Sequence, residues 1–157
     1  MTASSAPPRV AVVTGASSGI GEATARTLAA QGFHVVCVAR REDRIAALAT
    51  EIGGTAIVAD VTDQAAVDAL AAAVADLPGA LAVLVNNAGG AKGLEPVLDA
   101  DVEHWRWMWE TNVLGTLRVT RALLGQLVDS GDGLVVTITS IAAFETYDGG
   151  SGYTSAK

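Results

Sequence analysis

One cysteine, two histidines and no unbroken apolar stretch long enough to span a bilayer define what this 157-residue chain lacks. A single cysteine excludes an internal disulfide and fits a reducing cytosol, so a cytoplasmic location is expected. Cys37 sits inside the apolar run HVVCVA and reads as a buried, inert thiol. His34 and His104 stand far apart with no Cys or His clustered beside either, so no metal site is expected. No lysine-rich or arginine-rich run occurs and the net charge is −7, which argues against nucleic acid or an anionic membrane as partner. Runs of 18 or more apolar residues mark transmembrane helices, and none is present. The opening MTASSAPPR lacks the layout of a secretory signal. Residues 1–8 read as a disordered lead-in, with Pro7 and Pro8 barring a helix. No G-x-x-x-x-G-K-[ST] loop is found, which removes the nucleoside triphosphatases.

What is present is apolar: half the residues are hydrophobic, 17% are charged, and mean hydropathy is +0.39. Such a chain buries the core of one domain, here residues 9–157, with no repeat and no interior linker. Short β-branched runs alternate with longer alanine-rich stretches. Strands are expected at Val10–Thr14, Phe33–Val38, Thr55–Ala59, Leu81–Val85 and Leu134–Thr139. Between them, helices are expected at Ile20–Gln31, Glu42–Ile52 and Asp63–Asp76, and an unbroken one from about Ala100 to Val128. Gly32 would end the first of these, and Tyr153 opens a last helical stretch. The strands are continuously apolar rather than alternating, so both faces are covered. That predicts a doubly wound, parallel, Rossmann-like α/β sheet in three layers, with ligands at the carboxyl ends of its strands.

After the first strand comes Thr14-Gly15-Ala16-Ser17-Ser18-Gly19-Ile20-Gly21. Glycines admit close backbone approach to a phosphate, and the following helix aims its positive end at the same place. The spacing is G-x-x-x-G-x-G rather than the usual dinucleotide fingerprint. An enzyme selecting NAD usually ends its second strand in an acid. Here the strand ends Val38-Ala39-Arg40-Arg41, which favours a 2′-phosphate and NADP(H), with NAD(H) as the alternative. The plainer reading is that both arginines solvate the next helix. Asp60, before Val61 and Thr62, would accept from an adenine amino group or cap the next helix. Asn86-Asn87-Ala88-Gly89 would tie neighbouring loops together beside the cofactor, or serve as turn chemistry alone.

The chain closes on Tyr153-Thr154-Ser155-Ala156-Lys157. On a helix, positions i and i+4 share a face. A phenol is a poor base at neutral pH, and a neighbouring ammonium favours its phenolate. Tyr153 would exchange a proton with a substrate oxygen while hydride moves at the carbon. Ser140, at the end of the fifth strand, would hold a substrate carbonyl, and Asn112 would present an amide to the sheet tips from inside the long helix. Trp105 and Trp109 share a helix face and read as core or subunit packing; Gly149-Gly150-Ser151-Gly152 reads as a flexible loop.

TGASSGIG, NNAG, Asn112, Ser140 and YTSAK together resemble the short-chain dehydrogenase/reductase family in its compact form, from Arg9 onward. The resemblance implies Tyr153 as catalytic acid/base and Ser140 as the group that orients the substrate oxygen. It implies that Lys157 binds the nicotinamide ribose and eases ionisation of the phenol, and that Asn112 completes a proton relay to it. Gly15, Gly19, Ile20 and Gly21, with Ser17 and Ser18 between them, resemble the pyrophosphate loop. Asp60 and Val61 resemble the adenine contacts, and Asn87, Ala88 and Gly89 the turn along the adenosine ribose. The implied substrate is a small-molecule carbonyl or alcohol. The implied assembly is a homodimer or homotetramer through the helices at 100–128 and from 153. Family members continue through further strands and a substrate-covering segment, so the carboxyl-terminal strands are expected to be missing here. A non-catalytic nucleotide-binding fragment or interaction module is the competing expectation.

Overall fold

The computed structural model describes residues 8–157; apart from Pro8, the expected lead-in lies outside the described residues. Five strands, β1 (Arg9–Thr14), β2 (His34–Ala39), β3 (Thr55–Val58), β4 (Ala80–Asn86) and β5 (Leu134–Thr137), form one parallel sheet in the order β3-β2-β1-β4-β5. Helices α1 (Gly19–Ala30), α2 (Glu42–Ile52) and α3 (Gln64–Ala75) cross over between the first four strands. A helical stretch built from α4 (Val102–Met108) and α5 (Thr116–Asp129) leads to β5, and α6 (Ser151–Ser155) comes last.

Alternate residues of the central strands feed two separate cores. Val10 and Val12 face Val67, Leu70 and Val74 of α3 and Val119, Leu123 and Leu127 of α5. Ala11 and Val13 face the other layer, with Ala25 of α1 and Ile45 and Leu48 of α2. Burial on both faces is why the strands carry no polar alternation. Cys37 belongs to the second core, and its burial pushes the thiol up to about 11, so it stays protonated and unreactive at neutral pH.

The helix expected without interruption over Ala100–Val128 differs in its middle. From Trp109 to Gly115 the hydrogen bonding widens to π-helical spacing, with Asn112 at its centre. Such widened turns break the backbone ladder locally and recur at functional sites. Gly115 has no room for a side chain, because a Cβ there would stand 2.7 Å from Val61 Cγ2. The expected flexible loop at Gly149–Gly152 is also corrected: Gly150 caps α6 and Ser151-Gly152 form its first turn. Gly152 is buried against Trp105 and Met108, so that segment is packed and Trp105 serves internal packing. Trp109, one turn further along, is half-exposed, and its indole also reaches α6, donating to Ser155 Oγ at 3.2 Å.

The chain passes from β1 to β2 on one side, while β4 lies beside β1 on the other. The carboxyl ends of β1 and β4 therefore flank the point where the winding reverses, and a cleft opens there. Among the described residues no helix is long and apolar enough to cross a membrane.

Candidate active site

The loops at that reversal are joined by one hydroxyl. Thr14 Oγ1, fully buried, donates to Val85 O at 3.3 Å and accepts from the Asn87 and Ala88 amides, each at 3.0 Å. Asn87 returns the tie, its Nδ2 donating to Thr14 O at 2.9 Å and Gly15 O at 3.3 Å. The loop linking expected of the paired asparagines falls to Asn87, while the Asn86 amide turns away to Thr120 Oγ1. Thr14 itself escaped the sequence reading, since a threonine ending an apolar strand looks like any other β-branched residue.

The packing of Gly15 leaves no space for a side chain. Its φ is +65°, and a Cβ would stand 2.7 Å from Asn87 Nδ2 and 2.9 Å from Ala88 Cα. Gly21 is closed by the same amide and by Gly15 O, so it serves close packing between loop and helix. Gly19 is the opposite case, with φ +58° and, among the described residues, nothing within 4 Å of a Cβ position. Ser18, the N-cap of α1, makes no side-chain cap bond, which leaves first-turn amides of α1 free for an anion. The free helix end, the sealed turn and the open space at Gly19 fit a pyrophosphate.

A cleft of about 430 Å³ starts at this turn. Ser17, Ser18, Arg40 and Arg41 line one end, with Asp60 and Val61 forming the adjoining wall. Arg41 is pinned to the glycine loop, its Nε and Nη2 donating to Ser17 Oγ at 3.0 and 2.7 Å and Nη2 also to Ser18 Oγ at 2.7 Å. Arg40 pairs with Asp60 Oδ2 at 3.5 Å. Asp60 does not cap α3. Asp63 does, accepting from the Ala65 and Ala66 amides, because it immediately precedes the first helical residue. Asp60 instead accepts from the Thr62 amide and hydroxyl, at 3.0 and 2.8 Å.

At the other end Ala88, Gly89, Gly90, Tyr153 and Lys157 line the same cleft. Helix α6 ends at Ser155, so Lys157 lies past the helix rather than on its face. Its Nζ nevertheless stands 5.9 Å from the Tyr153 ring centroid and donates to Ile138 O at 2.9 Å. Burial lowers the Lys157 ammonium below the usual lysine range. Asn112 makes a two-point bond to the Gly90 backbone, donating to its carbonyl and accepting from its amide, both at 2.9 Å. Its oxygen and Lys157 Nζ meet at Gly89, where a Cβ would stand 2.5 and 3.9 Å from them. Ser140 sits three residues past β5 and caps a short 3-10 turn, its Oγ accepting from the Ala142 amide at 3.2 Å. Ser140 and Asn112 are not among the residues that line this cleft; both are half-buried beside it, Ser140 two residues after the lining Ile138 and Asn112 next to the lining Thr111. Trp107 and Thr111 line the cleft and were not read from the sequence; the helical tryptophans signalled packing only, and a lone helical threonine gives no signal.

Partial burial works against ionisation of Asp60, but bonds from Thr62 and the Arg40 guanidinium outweigh it and hold the carboxyl below its usual range. A depressed folded pKa gives stability that is complete above the unfolded value of about 3.9 and lost as pH falls through the folded one. Asp60→Asn is therefore expected to lower the urea midpoint most near neutrality. The gap from wild type should close below about pH 4. Urea titrations across that range check this, and a gap widening toward acid contradicts it.

A family model described as short chain dehydrogenase matches residues 9–157. An uncharacterized oxidoreductase of Mycobacterium tuberculosis is 76% identical over the whole chain, which covers 61% of that protein. An NADP-dependent 3-hydroxy acid dehydrogenase of Salmonella typhi is 39% identical across 94% of this chain and 60% of its own length. Among solved structures, the closed form of a serine dehydrogenase complexed with NADP+ matches with a TM-score of 0.85 at 37% identity. That match covers 94% of this chain and 60% of the other. The chain thus spans about 60% of the length of these relatives. With the glycine turn, the Asn87 tie and the Tyr153–Lys157 end of the cleft all inside the matched region, the chain belongs to the short chain dehydrogenase family.

Proposed function

We propose that the protein carrying this chain moves hydride between NADP(H) and a ketone or secondary alcohol, with Tyr153 as general acid/base. One observation carries the reading: Tyr153 and Lys157 line the same cleft as the glycine turn and the arginine pair. Bound there, the nicotinamide cofactor would supply or accept the hydride. The chain's own groups then have distinct tasks. The Tyr153 hydroxyl gives its proton to the substrate oxygen in reduction and takes one back in oxidation. The Lys157 ammonium, 5.9 Å from the ring centroid, stabilises negative charge developing on the phenol oxygen. The Ser140 oxygen accepts from an amide, so its own proton remains to be donated to the substrate oxygen. Asn112 holds Gly90, and through it the floor of the site; a water-borne proton path from Asn112 to Lys157 belongs to the proposal.

NADP(H) is favoured by Arg41, whose guanidinium the two serines hold at the cleft's end, where a 2′-phosphate would meet it. The NADP in the names of the Salmonella relative and the serine dehydrogenase complex supports the same choice. A reducing cytoplasmic setting fits the lone buried thiol. Self-assembly through α5 is supported by its exposed Leu117, Leu124 and Val128. The share of its relatives' length that the chain spans favours a second reading of this piece by itself, as a binder of NADPH without turnover.

In the full-length polypeptide, Tyr153→Phe is expected to cut ketone-dependent NADPH oxidation at least about a hundredfold, in line with loss of a general acid. Turnover within a few-fold of wild type contradicts the role. Replacing Arg40 and Arg41 by alanine should raise the NADPH dissociation constant by about tenfold or more and leave NADH nearly untouched. Equal losses for both cofactors, measured by fluorescence titration, contradict the assignment.

A further inference from the structure

The loop that leaves the cleft at Gly90 carries a cation that the proposed hydride chemistry does not use. Lys92 places its ammonium 4.4 Å from the centroid of the Trp107 ring. That lies within the range at which a ring face attracts a cation, and the lysine stem packs while the charge stays wet. Trp107 lines the cleft beside Tyr153, and its Cη2 would be 3.2 Å from a Cβ at Gly90. The indole is therefore both part of the cleft wall and the platform for Lys92. This end of the cleft is remote from Arg40 and Arg41, which serve the cofactor end.

Of the acids near Lys92 in sequence, Glu95, Asp101 and Glu103 are already engaged, and the exposed Asp99 forms no ion pair among the described residues. Glu95 accepts from the Leu94 amide at 2.8 Å and meets His104 Nδ1 at 3.2 Å. Its own backbone amide, then the His104 ring and the Asp101 and Leu94 amides, hold its carboxyl below the usual range. Asp101 accepts from the Glu103 amide as the cap of α4, and Glu103 pairs with Arg106. Among the described residues Lys92 makes no ion pair. The loop behind it is also fixed. Gly93 has φ +72° with the Glu95 carboxylate folded over it, and Gly149, just before α6, leaves no space beside Leu94 O. Lys92 is thus a positioned, uncompensated cation at the rim of the Tyr153 end, in a chain of net charge −7. An ammonium held on an aromatic platform with no acid partner suits an anionic group on a small ligand.

We propose that Lys92, seated on Trp107, binds the carboxylate of the substrate, so that the substrate is a hydroxy or oxo acid. This rests on the hydride-transfer reading for its chemistry, but the ligand contact can be tested without turnover. The ammonium takes the carboxylate, the chain between it and the reacting carbon crosses the Trp107 edge, and the oxygen on that carbon reaches Tyr153.

The test uses the full-length polypeptide with 3-hydroxybutyrate and its methyl ester, each with NADP+. Removing one charge-assisted contact, Lys92→Met should lower the preference for acid over ester, as the ratio of kcat/KM values, about tenfold, chiefly through the KM of the acid. Lys92→Arg should restore most of that preference, which a merely structural lysine would not require. In parallel, quenching of tryptophan fluorescence by 3-hydroxybutyrate, absent in Trp107→Phe, should shift to about tenfold higher concentration in Lys92→Met. A preference ratio within twofold of wild type in Lys92→Met, or quenching unaffected by that change, overturns the proposal. If wild type shows no ketone-dependent NADPH oxidation and turns over neither compound while the quenching still depends on Lys92, the hydride-transfer reading falls and the carboxylate contact stands.

Discussion

The hydroxyl of Thr14 holds the two central strand ends together, and every part of the cleft is placed relative to that junction. It accepts from two consecutive amides of the β4 loop and donates to the β4 carbonyl at Val85. Because Thr14 and Asn87 exchange bonds in both directions, the glycine turn and the Asn87-Ala88-Gly89 turn cannot shift independently. The turn at Gly15 then has a fixed shape, closed on one side by Asn87 and open toward the cleft at Gly19. From the same junction, Gly89 and Gly90 pass the constraint on to Lys157 and Asn112. Buried polar groups linked this way carry high stakes, since losing one partner strands the others away from water.

The far end of the cleft depends on a second device, the widened helical turn at Trp109–Gly115. An ordinary helix satisfies its own backbone and leaves a mid-helix asparagine free to face water. Here Asn112 is committed to both polar groups of Gly90, which locks helix and loop at the start of the segment that carries Lys92 and Glu95. The buried hydroxyl of Thr111, next to it, finds no partner among the described residues. The site is thus bounded by elements joined through side chain–backbone bonds, which transmit position better than apolar contact alone.

Much of the architecture was legible because it follows from composition and order. Continuous runs such as VAVVT and HVVCVA require cover on both faces, and the alternating helices supply it. Five strands, their order of appearance and the position of the glycine turn needed nothing more. What stayed illegible were the tertiary choices of single polar groups. Asp60 and Asp63 both precede α3, and only the precise start of the helix decides which one caps it. Arg40 and Arg41 are equivalent in the sequence, yet one pairs with Asp60 and the other with the glycine-loop serines. Likewise no periodicity marks a π turn, and Trp107 looks like packing until its indole is seen in the cleft wall.

The Thr14 junction holds in place the cleft to which we assign the cofactor. The most direct measurement is the NADPH dissociation constant of Thr14→Val beside Thr14→Ser, with circular dichroism to show that both remain folded. Valine keeps the shape and strands two amides, so an increase of about tenfold or more is expected, whereas serine should stay within about threefold. A folded Thr14→Val protein that binds NADPH as tightly as wild type would contradict the account.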